Sequence, residues 1–174
     1  VNQPISGFSA TEGVNENPIC EGSTLHLSAA VSGGTGITYN WSGPGSYSAL
    51  NNQTPTRINI LESSGEGTYT VSAVNACGTQ TSTTTAINVH RHILLLSADA
   101  GPNPICEGST LNLTATYNGT PLPSSDVSWS WDGPGFSVTG QQNTSVTNIP
   151  IADDGSAFNV HATNACGTQD ATTN

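Results

Sequence analysis

The chain has 174 residues, and its twelve acidic side chains against two basic ones set a formal net charge of −10. Arg57 and Arg91 are its only basic side chains, too few to neutralise a phosphate backbone, so nucleic acid is excluded as a partner and anionic lipid surfaces repel it. No apolar stretch approaches the roughly 20 residues a transmembrane helix needs, so no membrane insertion is expected.

Only 8% of the residues are charged. Polarity comes instead from Ser and Thr, which suit strands, and from Asn and Gly, which mark turns. Methionine is absent even from position 1, so the sequence reads as a processed chain or an excerpt. Val1-Asn2-Gln3-Pro4 has the look of the tail of a preceding repeat.

In chain order, the first strong element covers residues 24–29, where Leu25, Leu27 and Ala29 alternate onto one face. Residues 38–41 form the next strand, and Gly43-Pro44-Gly45 is turn chemistry. Residues 57–60 alternate (Arg57, Ile58, Asn59, Ile60), and so do residues 68–74. Residues 83–89 make a final strand, and Ile93-Leu94-Leu95-Leu96 fits one more buried strand. Leu111, Leu113 and Ala115, then residues 128–131 and 158–162, repeat the series. Nothing carries a 3.6-residue apolar period, so almost no helix is expected, and short strands with frequent turns argue for a β-sandwich.

The internal repeat is explicit. Asn-Pro-Ile-Cys-Glu-Gly-Ser-Thr-Leu at 17–25 returns at 103–111, and Asn-Ala-Cys-Gly-Thr-Gln at 75–80 returns at 164–169. Cys20 and Cys106 are 86 residues apart, whereas Cys77 and Cys166 are 89 apart. The second copy therefore holds extra loop residues, placed at Pro121-Leu122-Pro123-Ser124-Ser125. The expected domains are residues 1–90 and 91–174, with the second final strand stopping part-way at residues 171–174.

The order of these elements resembles an immunoglobulin-like fold. Glu-Gly-Ser-Thr-Leu-His-Leu-Ser-Ala at 21–29 resembles the turn into strand B, and Trp41 and Trp131 stand at the strand C core position. Tyr69 resembles the corner tyrosine of that fold; Phe158 replaces it in the second copy, where the corner hydrogen bond should be missing. Both copies more closely resemble the Ig-like or PKD-like repeats of large secreted and surface proteins of Bacteroidota-type bacteria. That resemblance rests on Cys-Glu-Gly-Ser-Thr at 20–24 and 106–110, Trp-x-Gly-Pro-Gly at 41–45 and 131–135, and the Asn-Ala-Cys-Gly turns. It implies an all-β pair of tandem Greek-key sandwiches, with Trp41, Trp131, Tyr69 and Phe158 in the cores.

Cys20, Cys77, Cys106 and Cys166 lack any Cys-x-x-Cys spacing, and paired cysteines in a lysine-free chain point to an oxidising, extracellular or cell-surface setting. Strands B and F of the resembled fold run the same way, so Cys20 before one and Cys77 after the other sit at opposite ends. Seven strand residues span about 23 Å, and a disulfide needs Cα atoms within about 7 Å. Two readings stay open: a bridge within each domain, with strand ends misplaced, or bridges between domains, with Cys20 meeting Cys166 and the other two bonding to flanking repeats.

The remaining chemistry is sparse. His90 and His92 flank Arg91 in a polar linker and fall short of the three or four ligands of bound zinc. His26 and His161 face solvent without partners. Glu62, Glu66, Asp153 and Asp154 read as a solvated corner, with Asp99 a candidate inter-repeat calcium ligand. Asn40, Asn52, Asn112, Asn118 and Asn143 head Asn-x-Ser/Thr sequons and are candidate glycosylation sites. Tyr47 and Phe136 beside the Gly-Pro-Gly turns are candidate sugar contacts, against the alternative of core packing.

No nucleophile stands in a catalytic context, and no metal or cofactor is implied. The expected function is a non-catalytic structural repeat of an extracellular filament or adhesin stalk, with neighbouring repeats or identical subunits as partners. The incomplete last strand and a spare segment at residues 1–8 would permit strand donation. The alternatives are a module binding surface glycans or protein, and an accessory domain of a secreted hydrolase.

Overall fold

The computed structural model describes residues 1–117, 126–153 and 155–173. The candidate glycosylation site Asn118, the extra loop at Pro121-Leu122-Pro123-Ser124-Ser125, Asp154 and Asn174 lie outside the described residues. The chain forms two compact units, Val1–Arg91 and His92–Asn174.

The first unit contains β1 (Ser9–Glu12), β2 (Ile19–Cys20), β3 (Leu25–Ala30), β4 (Thr38–Gly43), β5 (Tyr47–Leu50), β6 (Thr56–Arg57), α1 (Glu62–Gly65), β7 (Thr70–Asn75), β8 (Gly78–Thr83) and β9 (Val89–His90). One sheet has the order β1-β3-β6 and the other β5-β4-β7-β8, all antiparallel, while β2 and β9 pair in parallel. Period-2 alternation decides which side chains meet. Leu25, Leu27 and Ala29 of β3 are buried with Trp41 of β4 and Val71 of β7. Ile60, Tyr69, Ile87 and Val89 belong to the same core.

Three strand expectations need correction. The alternation at residues 57–60 does not form one strand: β6 ends at Arg57, and Asn59 adopts a left-handed φ of 50°. That kink turns Ile58 out to solvent and Ile60 into the core, where Ile60 exchanges backbone hydrogen bonds with Gly22 and Ser23. The final strand expected at 83–89 is two strands. β8 stops at Thr83, and the chain crosses to pair Ile87 with Gly67 and β9 with β2. The run 93–96 is not a strand either: Ile93 is buried, but Leu94 and Leu95 are exposed and Leu95 has a φ of 50°.

Residues 1–8 are not spare. Ile5 is buried, Ser6 bridges Gly33, and the Asn75 and Gln80 side-chain amides donate to the carbonyls of Gln3 and Ile5.

The second unit contains β10 (Ser97–Gly101), β11 (Leu111–Thr116), β12 (Ser128–Gly133), β13 (Phe136–Thr139), β14 (Thr144–Val146), a short 3-10 turn at Ile151–Asp153, β15 (Asn159–Asn164) and β16 (Gly167–Thr172). Its sheets have the orders β10-β11-β14 and β13-β12-β15-β16. Leu113, Ala115, Trp131, Phe158, Val160 and Ala162 form its core, with Trp129 beside them. Among the described residues, helix is confined to single turns at the corner that precedes β7 in one unit and β15 in the other.

Candidate functional site

Arg57 ties the corner of the first unit together. Its Nη1 donates to Pro44 O at 2.8 Å and to the Tyr69 hydroxyl at 2.7 Å, and its Nη2 donates to Ser64 O at 2.8 Å. The guanidinium also lies 5.5 Å from the Tyr47 ring centroid and 5.8 Å from that of Tyr69. The Tyr69 hydroxyl donates back to Gly65 O at 2.9 Å, the corner bond expected for this fold. Burial pushes the Tyr69 pKa above its usual value, and Arg57 opposes that shift. One cation thus joins β6, the β4–β5 turn, α1 and the start of β7.

The second unit builds the same corner without charge. Leu25 faces Arg57 across the sheet, and Leu111 faces Val146, so Val146 stands in for Arg57. Phe158 replaces Tyr69 and Phe136 replaces Tyr47. The ring pair is edge-to-face in both, with centroids 5.4 Å apart for Tyr47–Tyr69 and 6.0 Å for Phe136–Phe158. Tyr47 and Phe136 thus pack against the corner rings and stay half-buried.

The motif glycines have two distinct jobs. A Cβ on Gly43 would sit 2.5 Å from the Tyr69 ring, and one on Gly133 would sit 2.3 Å from the Phe158 ring. These residues end strands and admit a ring face. Gly45 and Gly135, with φ of 59° and 61°, make the turns proper. Sequence reading assigned the whole tripeptide to turn chemistry.

His161 has two partners, contrary to expectation. Its Nε2 lies 3.1 Å from Asp132 Oδ2 and its Nδ1 2.7 Å from Asp170 Oδ1, linking β12, β15 and β16 on the solvent face. The signal was cross-strand: His161 stands opposite Asp170 and next to the Asp132–Asn159 pair. The hydrogen bond to Asp132, then that to Asp170, raises the His161 pKa above 6.5. Asp132 falls below 3.8, first through a hydrogen bond from Asn159 and then through that from His161. The His161 contribution to stability is present below pH 6.5 and lost as pH rises through the raised folded value. The Asp132 contribution is lost as pH falls through its lowered one. An NMR titration should give His161 a midpoint above 6.5, and His161→Gln should weaken the second unit at pH 5.5 but not at pH 9. A midpoint at or below that of free histidine would show that the cluster does not form. His26 also has a partner, Glu16 Oε1 at 2.5 Å.

The corner carboxylates are occupied by protein. Glu62 Oε2 meets Arg91 Nε at 2.6 Å, Glu66 Oε1 accepts from Val89 N, and Asp99 Oδ1 accepts from Ala100 N. Among the described residues no three His, Cys, Asp or Glu side chains gather as metal ligands, and no helix is long and apolar enough to cross a membrane. Of the sequon asparagines described, Asn52, Asn112 and Asn143 are exposed and Asn40 is half-buried in β4.

Each unit holds its two cysteines at opposite ends. Cys20 pairs with His90 in β9, next to the corner from which β7 starts. Cys77 caps the turn where β7 ends, after six residues that span about 20 Å. Asn75 Oδ1 accepts from Cys77 N at 2.9 Å, and Gly78 supplies a φ of 141°, which accounts for Asn-Ala-Cys-Gly as a hairpin turn. Asn164, Cys166 and Gly167 repeat it, with the bond again 2.9 Å. Cys106 sits before β11, at the end of the second unit where Gly108 N donates to Ile149 O. Cys77 and Cys106 are exposed free thiols. Neither Cys20–Cys77 nor Cys106–Cys166 is formed.

A family model described as a PKD-like domain matches residues 8–89 and again residues 95–174. No curated protein matches the chain in sequence. Among solved structures, murine CEACAM1b is 11% identical, with a TM-score of 0.62 over 97% of this chain and 96% of that one. A chain in the crystal structure of a mouse coronavirus receptor-binding domain complexed with its murine receptor gives 11% identity and a TM-score of 0.64 over 95% of this chain and 96% of that one. The N-terminal four Ig domains of Dscam1 isoform 8.4 give 14% and 0.54, over 99% of this chain and 46% of that one. At such identities the likeness is one of fold: two tandem immunoglobulin-like sandwiches.

Proposed function

The chain belongs to the PKD-like domain family, and from that premise we propose that it is a non-catalytic structural segment of an extracellular or cell-surface protein, its repeats linked end to end by disulfides. The observation that carries this reading is the polar placement of the cysteines. Each unit has one cysteine at its corner end and one at its β-hairpin end, too far apart to bond to each other. A corner-end cysteine of one repeat then bonds a hairpin-end cysteine of another, and the free thiols Cys77 and Cys106 serve flanking copies. Each bond passes two electrons and two protons to a disulfide oxidant, which leaves as two thiols. The low charge, the sequons and the absence of a catalytic constellation suit a surface filament or stalk. The alternatives are a glycan- or protein-binding module and an accessory domain of a secreted hydrolase.

Non-reducing peptide mapping should return a Cys20–Cys166 peptide, and a glutathione redox buffer should convert the chain into a ladder of oligomers that reductant collapses. Cys77→Ser/Cys106→Ser should remain monomeric in the same buffer. Recovery of a Cys20–Cys77 peptide, or an unchanged ladder from the double variant, would overturn the proposal.

A further inference from the structure

The sequon asparagines among the described residues differ in what their side-chain amides bond. Asn40 Oδ1 accepts from Asn51 N at 3.3 Å, Asn52 Oδ1 from Thr54 N at 3.0 Å, and Asn143 Oδ1 from Ala115 N at 3.0 Å. Asn40 is also half-buried in β4, with Leu50 of β5 and Ser72 of β7 opposite it. The Asn52 sequon is pinned at its middle residue: Gln53 Nε2 donates to Ala29 O at 2.8 Å, and Gln53 O accepts from Ala29 N at 3.0 Å. Each of these three amides is held against the protein.

Asn112 differs. It is exposed in β11, and its amide makes no hydrogen bond with the described residues. Its register partners are Gly101 of β10 and Ser145 of β14, so one flank has no side chain and the other a small one. A Cβ placed on Gly101 would meet nothing within 4 Å. Side chains two apart in a strand point to the same face, and Thr114 is exposed beside Asn112 on that outer face. β11 thus offers both functional groups of the sequon, the amide and the hydroxyl, to open solvent. The first unit has His26 and Ser28 at these two places, and Glu16 holds His26.

We propose that Asn112 is the acceptor for an N-linked oligosaccharide on the second unit. This rests on the extracellular setting proposed above and not on the disulfides. The donor is a lipid-linked oligosaccharyl pyrophosphate. Asn112 Nδ2 bonds to the anomeric carbon, and the bond from that carbon to the pyrophosphate oxygen breaks. The lipid pyrophosphate leaves with the electron pair, and one amide proton passes to a base of the transferase. The attached sugar lies over Gly101 and Ser145, where it displaces no hydrogen bond of the protein, as suits a bulky surface group.

The test is secretion of the intact chain from a host that supplies this transferase and donor. Enzymatic release of the glycans in heavy-oxygen water then turns each carrier asparagine into a labelled aspartate, which peptide mapping locates. Label at position 112 should exceed that at Asn40, Asn52 or Asn143 by about tenfold or more. Thr114→Ala should abolish it, and Thr114→Ser should restore it in part. Asn112→Gln should abolish it too and, in a host without the transferase, leave the Tm of the second unit unchanged. A secreted, folded chain without label at position 112, or with equal label at Asn40 and Asn143, would overturn the proposal. The host supplies the secretory route and no cysteine takes part, so this outcome is separable from failure of the extracellular or the disulfide reading.

Discussion

Trp131→Ala is expected to destabilise the second unit by about 3–5 kcal/mol, and Trp41→Ala the first by a similar amount. Trp41 and Trp131 are the largest fully buried side chains of their cores. Single domains have only about 5–15 kcal/mol in total, so either variant leaves one unit close to unfolding. Residue-resolved urea unfolding separates the units, with Val71 and Val160 as reporters. Phenylalanine at the same positions discriminates further. Trp131 Nε1 donates to Gln142 O at 3.1 Å, whereas Trp41 Nε1 is buried without a partner among the described residues. Trp41→Phe therefore removes an unsatisfied donor, while Trp131→Phe removes a bond and strands an acceptor. The second should cost more, by about 1 kcal/mol. Equal costs would mean that the two indole environments do not differ.

Arg57→Val alone should cost the first unit about 2–4 kcal/mol, since it deletes charge-assisted hydrogen bonds to three separate segments. Pro44 O, Ser64 O and the Tyr69 hydroxyl lose their donor or partner together. The triple exchange Arg57→Val/Tyr47→Phe/Tyr69→Phe writes the second unit's corner into the first and should lie within about 1 kcal/mol of the starting protein. Replacing a whole partly buried polar network by packed apolar groups is often neutral, whereas removing one member is not. The measurable quantity is the non-additivity among single, double and triple variants. Additive losses would show that the two corners are not interchangeable solutions.

The cores were legible in the sequence because alternation is local. Leu25, Leu27 and Ala29, their counterparts at 111–115, the strand C tryptophans and the corner aromatics all lie where period-2 reading and the repeat put them. The missing corner bond at Phe158 was legible too, because phenylalanine has no hydroxyl to donate. The placement of the cysteines rested on the strand directions of the resembled fold, and it left a bridge within each domain open beside bridges between domains.

What the tertiary structure decided depends on pairs distant in sequence or on single backbone angles. Alternation says nothing of a residue with positive φ, so the turn at Asn59 and the break at Leu95 were read as strand. A histidine on a solvent face looks solitary until β12 and β16 flank it with Asp132 and Asp170. Arg57 is only the first residue of an alternating run until the fold brings Pro44, Ser64 and Tyr69 around it. Gly43 reads as turn until Tyr69 lies against its missing side chain. The closing segment shows its crossing from one sheet to β2 only once Gly67 and Ile19 are in place to receive it. Composition, alternation and repetition thus determined the class of fold and its two cores. The cross-strand clusters and the apolar counterpart of the arginine corner came from side chains that meet only after the sheets have formed.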